Sequence, residues 1–98
     1  MTDNAFYILG DMNELGDFAE DLHEKTGKFL KDHGVTKVAF IGKYNQFYAQ
    51  GYQQPAVRSA TLEEFLSKHW KELKKEYIYF FIKGSRSLKL ETILDATS

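Results

Sequence analysis

The sequence predicts an α/β fold, a three-layer α/β/α sandwich around a mainly parallel sheet. Short apolar runs of strand length alternate along the chain with stretches of helical period, which is the pattern of parallel strands joined by helical crossovers. Glycine-bearing turns follow directly on these runs at Gly10, Gly42 and Gly84. The 98 residues leave room for a single domain, residues 1–98, and no second core. A chain of this size buries roughly two thirds of its unfolded surface, enough for an independent fold of ordinary stability.

The first expected strand is Phe6-Tyr7-Ile8-Leu9. A helix follows after Gly16, with Asp17 as N-cap and Glu20 three residues on, and its predicted core face is Phe18, Leu22, Phe29 and Leu30. It should stop at His33-Gly34, where glycine accepts a left-handed backbone at little cost. Val38-Ala39-Phe40-Ile41 reads as a second strand closed by Gly42, and Tyr44, Phe47 and Tyr48 suggest a short helix running toward Gly51. A loop around Pro55 and a brief strand at Ala56-Val57-Arg58 come next. Thr61 with Glu64 forms a capping box for a helix whose stripe is Leu62, Phe65, Leu66, His69, Trp70 and Leu73. The continuous apolar run from Tyr77 to Ile82 predicts a central strand covered on both faces. A last short helix, with Leu90, Ile93 and Leu94 on its apolar side, closes the chain.

Composition excludes several classes of function. The formal net charge is -1, so no whole-chain field draws the protein to nucleic acid or a membrane. The charged run from Lys68 to Glu76 alternates in sign, as on a solvated helix face. The longest apolar run falls far short of the roughly 18–20 residues that span a bilayer, and the N-terminus lacks the basic start of a signal peptide. No cysteine is present, which removes disulfides, thiolate metal sites and a cysteine nucleophile and fits a reducing, cytoplasmic location. His23, His33 and His69 form no i, i+4 pair, so no metal site is expected. Tyr44, Phe47, Tyr48 and Tyr52 have the face of a nucleobase platform but helical spacing, which assigns them to packing or an interface.

Two segments at strand ends carry the chemistry. Gly10-Asp11-Met12-Asn13-Glu14-Leu15-Gly16 is acidic, and Lys83-Gly84-Ser85-Arg86 is basic. In an open α/β sheet, ligands settle at the carboxyl ends of the strands, where both segments fall. Asp11 follows a strand-end glycine, where its carboxylate either orients a ligand or binds nearby backbone amides. In the second segment a strand end feeds a helix start, gathering free amides, a hydroxyl and two cations around a phosphate or carboxylate; the alternative is that Ser85 or Ser87 caps the last helix. Arg86 is the better of the two cations for a bidentate grip. Glu14 is a further candidate, as is His23, for which a partly buried helix position is the competing reading.

These residues, taken in order, resemble the C-terminal domain of the UDP-N-acetylmuramoyl-tripeptide:D-alanyl-D-alanine ligases, the MurF-type branch of the Mur ligase family. The resemblance rests on an apolar strand leading into Gly-Asp-Met-x-Glu-Leu-Gly, a helix carrying Leu22-His23, a second strand ending in Gly42 and a last strand running into Lys-Gly-Ser-Arg-Ser. It covers nearly the whole chain and implies a Rossmann-like fold lacking the family's first strand-helix unit, since no Asp-x-Tyr-x-x-Asn-Pro-like segment precedes Phe6. The chain is therefore expected to be either a trimmed domain or a standalone relative.

The resemblance further implies an ATP-dependent amide ligase of peptidoglycan synthesis, acting in the cell-wall biogenesis that serves cell shape and division. ATP activates the tripeptide carboxylate as an acyl phosphate, and D-alanyl-D-alanine attacks it. ATP and magnesium would be held mainly by domains absent from this chain, which itself has no Gly-x-x-x-x-Gly-Lys-Ser/Thr loop and is expected to be inactive alone. Asp11, Lys83, Gly84, Ser85 and Arg86 become the substrate- and nucleotide-binding candidates; no residue here is assigned as catalytic. The alternative is a standalone, non-catalytic module that binds an anion, a nucleotide or another protein.

Overall fold

The structure, a computed structural model, describes residues 5–12, 16–77 and 79–83. Among the described residues four strands, β1 (Ala5–Leu9), β2 (Val38–Ile41), β3 (Val57–Ser59) and β4 (Tyr79–Lys83), form one sheet in the order β3-β2-β1-β4. Every pairing is parallel. The β1–β2 connection is a 3-10 turn (Gly16–Phe18) leading into α1 (Ala19–Asp32), and α2 (Asn45–Tyr52) joins β2 to β3. The β3–β4 connection is one long helix, made of α3 (Leu62–Phe65), a π-helical turn (Leu66–Trp70) and α4 (Lys71–Glu76). The expected parallel α/β sandwich is borne out.

Strand alternation builds a core on each face. Phe6, Ile8, Ala39 and Ile41 pack against Leu62, Phe65, Trp70 and Leu73 on one side. Val38 and Phe40 pack against Leu30, Tyr48 and Tyr52 on the other, with Tyr7 and Leu9 beside them. Successive residues of a strand point to opposite faces, so β1 and β2 supply both cores.

Local signals placed the helix ends correctly where a residue binds its own neighbourhood. Gly34 takes φ +75 and its amide bonds to the Lys31 carbonyl, while Val35 bonds back to Leu30, closing α1. Thr61 accepts the Glu64 amide at 3.1 Å, and the Glu64 carboxylate accepts the Ala60 amide at 3.2 Å.

Three expectations are corrected. Asp17 does not cap α1: the residue before the helix is Phe18, in non-extended backbone and without a side-chain cap. The core face of α1 is Ala19, His23, Gly27 and Leu30, whereas Phe18 is 68% exposed, Phe29 58% and Leu22 36%. Gly27 stands on that face because α2 lies so close that a Cβ there would sit 2.0 Å from the Tyr48 carbonyl oxygen. Finally, among the described residues β4 is not central: it pairs with β1 alone, at the outer position of the sheet. A continuous apolar run reports two covered faces and carries no information about lateral neighbours. The predicted final helix, with Leu90, Ile93 and Leu94, lies outside the described residues.

Candidate functional site

The strand order sets the position of the site. The chain runs from β1 through α1 to β2 on one face, then from β3 across the other face to β4, so the direction of winding changes between β1 and β4. In open α/β sheets that switch point, at the carboxyl ends of the strands, is where ligands bind. Leu9 is the register partner of Lys83, so the carboxyl ends of β1 and β4 lie side by side. The strand ends that precede the two motifs are thus neighbours in the sheet. Glu14, Gly84, Ser85 and Arg86 lie outside the described residues.

Three consecutive residues of the first motif are each held by a different part of the α1/α2 layer. The Tyr48 hydroxyl donates to the Gly10 carbonyl at 2.7 Å. The Asp11 carboxylate accepts the Lys43 amide at 3.1 Å and the Tyr44 amide at 2.9 Å, one on each oxygen. The Met12 amide donates to His23 Nε2 at 3.0 Å. Asp11 is only 5% exposed and stands where orphan amides open the turn into α2, so its charge favours that helix start. Of the two roles open to Asp11 in the sequence, the backbone-binding one matches this geometry.

Gly42 makes the close approach possible. Its φ of +119 is the left-handed region that favours glycine, and a Cβ there would meet the Asp11 carboxylate at 2.5 Å. Burial, and after it the negative charge of Asp11, hold the Tyr48 phenol well above the ordinary tyrosine range. Around this fixed turn, Lys43 is exposed, with its ammonium 5.1 Å from the centre of the Tyr44 ring. The sequence reading missed Lys43, Tyr44 and Tyr48 as partners of the turn. The available signal was Gly42 at a strand end, although nothing local names a partner more than thirty positions away.

The described residues do not form a magnesium site. No three of their histidine and acidic side chains are gathered together, and both oxygens of Asp11, their one buried carboxylate, face amide donors. None of their helices is long and apolar enough to cross a membrane.

A parallel sheet packed on both faces, with its switch point between β1 and β4, defines a Rossmann-like α/β domain. No protein-family model matches the chain. Individual proteins do. The chain is 33% identical over 95 residues to the UDP-N-acetylmuramoyl-tripeptide--D-alanyl-D-alanine ligase of Rickettsia prowazekii (strain Madrid E), a match covering 95% of this chain and 21% of that protein. It is 32% identical over 91 residues to the ligase of the same name from Bacillus subtilis (strain 168), covering 89% of this chain and 20% of the relative. A crystal structure of MurF from Acinetobacter baumannii superposes with a TM-score of 0.83 at 20% identity, over 98% of this chain and 22% of that one. The chain spans about a fifth of the length of these relatives. The resemblance to a MurF-type C-terminal domain is borne out in sequence and in fold.

Proposed function

We propose that this chain acts as the C-terminal closing domain of an ATP-dependent ligase that adds D-alanyl-D-alanine to UDP-N-acetylmuramoyl-tripeptide during peptidoglycan synthesis in the cytoplasm. The observation that supports this reading is the register of Leu9 with Lys83, which sets the strand ends before the two family-like motifs side by side at the switch point, in a chain whose relatives are named as ligases. On this reading ATP, bound with magnesium by the remainder of the enzyme, supplies the phosphoryl group that activates a carboxylate. The residues of this chain bind, orient and exclude water. Lys83, Ser85 and Arg86 offer donors to an anionic group of nucleotide or substrate, and the Gly10–Met12 turn forms the opposite wall. Gly84 lets backbone approach the ligand. Closing such a wall over a reacting centre keeps water from competing with the incoming amine. By itself the chain does not ligate.

The test is an amide NMR titration of the chain with ATP and, separately, with D-alanyl-D-alanine at millimolar concentration. Shifts clustered at Gly10 to Met12, Lys43 and Lys83 to Ser87 are expected. Arg86→Ala should weaken the response about tenfold, as for the loss of a charge-assisted hydrogen bond. The absence of a localised response to either ligand would remove the proposed role.

A further inference from the structure

His23 is fully buried, and both of its ring nitrogens are committed. Nδ1 lies against the Ala19 carbonyl one helical turn back, a contact that requires a proton on Nδ1. Nε2 receives the Met12 amide proton at 3.0 Å, which requires a lone pair. The two contacts fix one neutral tautomer. The ring stacks on Tyr44 at 4.5 Å between centroids with 21° between planes, and meets Tyr48 edge-on at 4.8 Å. These two residues are the ones that hold Asp11 and Gly10. His23 therefore joins α1, α2 and the motif turn at one point.

We infer that His23 is a positioning residue for the switch-point crevice: its Nε2 fixes the Met12 amide, and with it the Gly10–Met12 turn. It does not touch ligand. A residue needed only to fill space could be leucine. Here Nδ1 is spent on its own helix, and the remaining polar atom is aimed at one backbone amide of the motif. This role rests on the proposed function of the crevice, whereas the hydrogen bond itself can be tested without any ligand.

The experiment uses the 15N-labelled chain and the variants His23→Gln, whose side-chain carbonyl can accept the Met12 amide, and His23→Leu, which cannot. Long-range ring correlations in the wild-type chain should report a protonated Nδ1 and a bare Nε2. In His23→Leu, Met12 amide exchange should accelerate about tenfold beyond what the change in global stability explains, and the apparent Kd for ATP or D-alanyl-D-alanine should rise about tenfold. His23→Gln should restore both, even where its thermal midpoint is no higher than that of the leucine variant. A protonated Nε2 in the wild type, unchanged Met12 exchange in His23→Leu, or indistinguishable glutamine and leucine variants would each overturn the assignment. The tautomer reading stands on the wild type even if His23→Leu does not fold. A wild-type chain that ignores both ligands overturns the crevice and the positioning role with it, whereas adverse tautomer and exchange results overturn the positioning role alone.

Discussion

Tyr48 concentrates the physics of the site in one side chain. Its hydroxyl supports the Gly10 carbonyl, its ring stacks on Phe40 at 4.8 Å, and its proton is held by burial and by the neighbouring Asp11 charge. Burial raises Tyr52 in the same direction, with its hydroxyl on the Val35 carbonyl. A folded-state value raised above the unfolded one, about 10 for tyrosine, means that the folded protein keeps protons the unfolded chain gives up. Stability is therefore intact below about pH 10 and falls as pH rises beyond it. Urea unfolding at neutral pH and near pH 10.5 should record that fall, about the alkaline limit set by tyrosine. Tyr48→Phe should cost about 1 kcal/mol at neutral pH, through the abandoned Gly10 carbonyl, and should flatten the alkaline decline. An alkaline slope identical in the variant would defeat the account. At this scale the sequence was half informative. The competing backbone role of Asp11 was legible, and so was a packed helix position for His23, read as partly buried where the structure buries it fully, because turn chemistry and helical position are local properties. The partners at Lys43, Tyr44 and Met12 were not, because they are created by packing between elements.

The α1/α2 pair is where periodicity gave the wrong face. Apolar spacing selected Phe18, Leu22, Phe29 and Leu30; of these Leu30 alone is buried, and the rest of the packed face is Ala19, His23 and Gly27. The missed signal was glycine inside both helices. A Cβ on Gly27 would lie 2.0 Å from the Tyr48 carbonyl oxygen, and one on Gly51 would lie 1.8 Å from the Glu24 carbonyl oxygen. These two effects have opposite signs, so their balance can be read by experiment. Helix propensity alone makes Gly→Ala favourable by about 1 kcal/mol. Overlap with backbone, which cannot swing aside, costs about 1–3 kcal/mol or more. Gly27→Ala and Gly51→Ala should each lower the urea midpoint, and a stabilised variant would mean that the helices do not approach this closely. Ends set by a single residue and its near neighbours, such as Gly34 after α1 and the Thr61–Glu64 box before α3, were legible for the same reason that the close packing was not.

For the whole molecule, the alternation of strands and helices was enough to give a parallel α/β sandwich, because crossovers leave few other arrangements. Lateral order was hidden, and with it the outer position of β4 and the switch point beside β1. That order also governs cooperativity. The two cores have no side chains in common, yet β1 and β2 contribute alternate residues to both, with Ala39 and Ile41 on one face and Val38 and Phe40 on the other. Neither half can lose its packing without displacing strands on which the other depends, so the chain should unfold as a single unit. Phe65→Ala empties the α3–α4 core and Phe40→Ala the α1–α2 core, and each should cost about 3–5 kcal/mol. Trp70 lies in the first core alone and reports its unfolding by fluorescence. If the sheet couples the halves, Phe40→Ala on the opposite face should move the Trp70 transition as far as it moves the far-ultraviolet circular dichroism transition. A Trp70 transition left in place while the dichroism shifts would mean that the two layers unfold separately, and that the rim between β1 and β4 is not the edge of one rigid sheet.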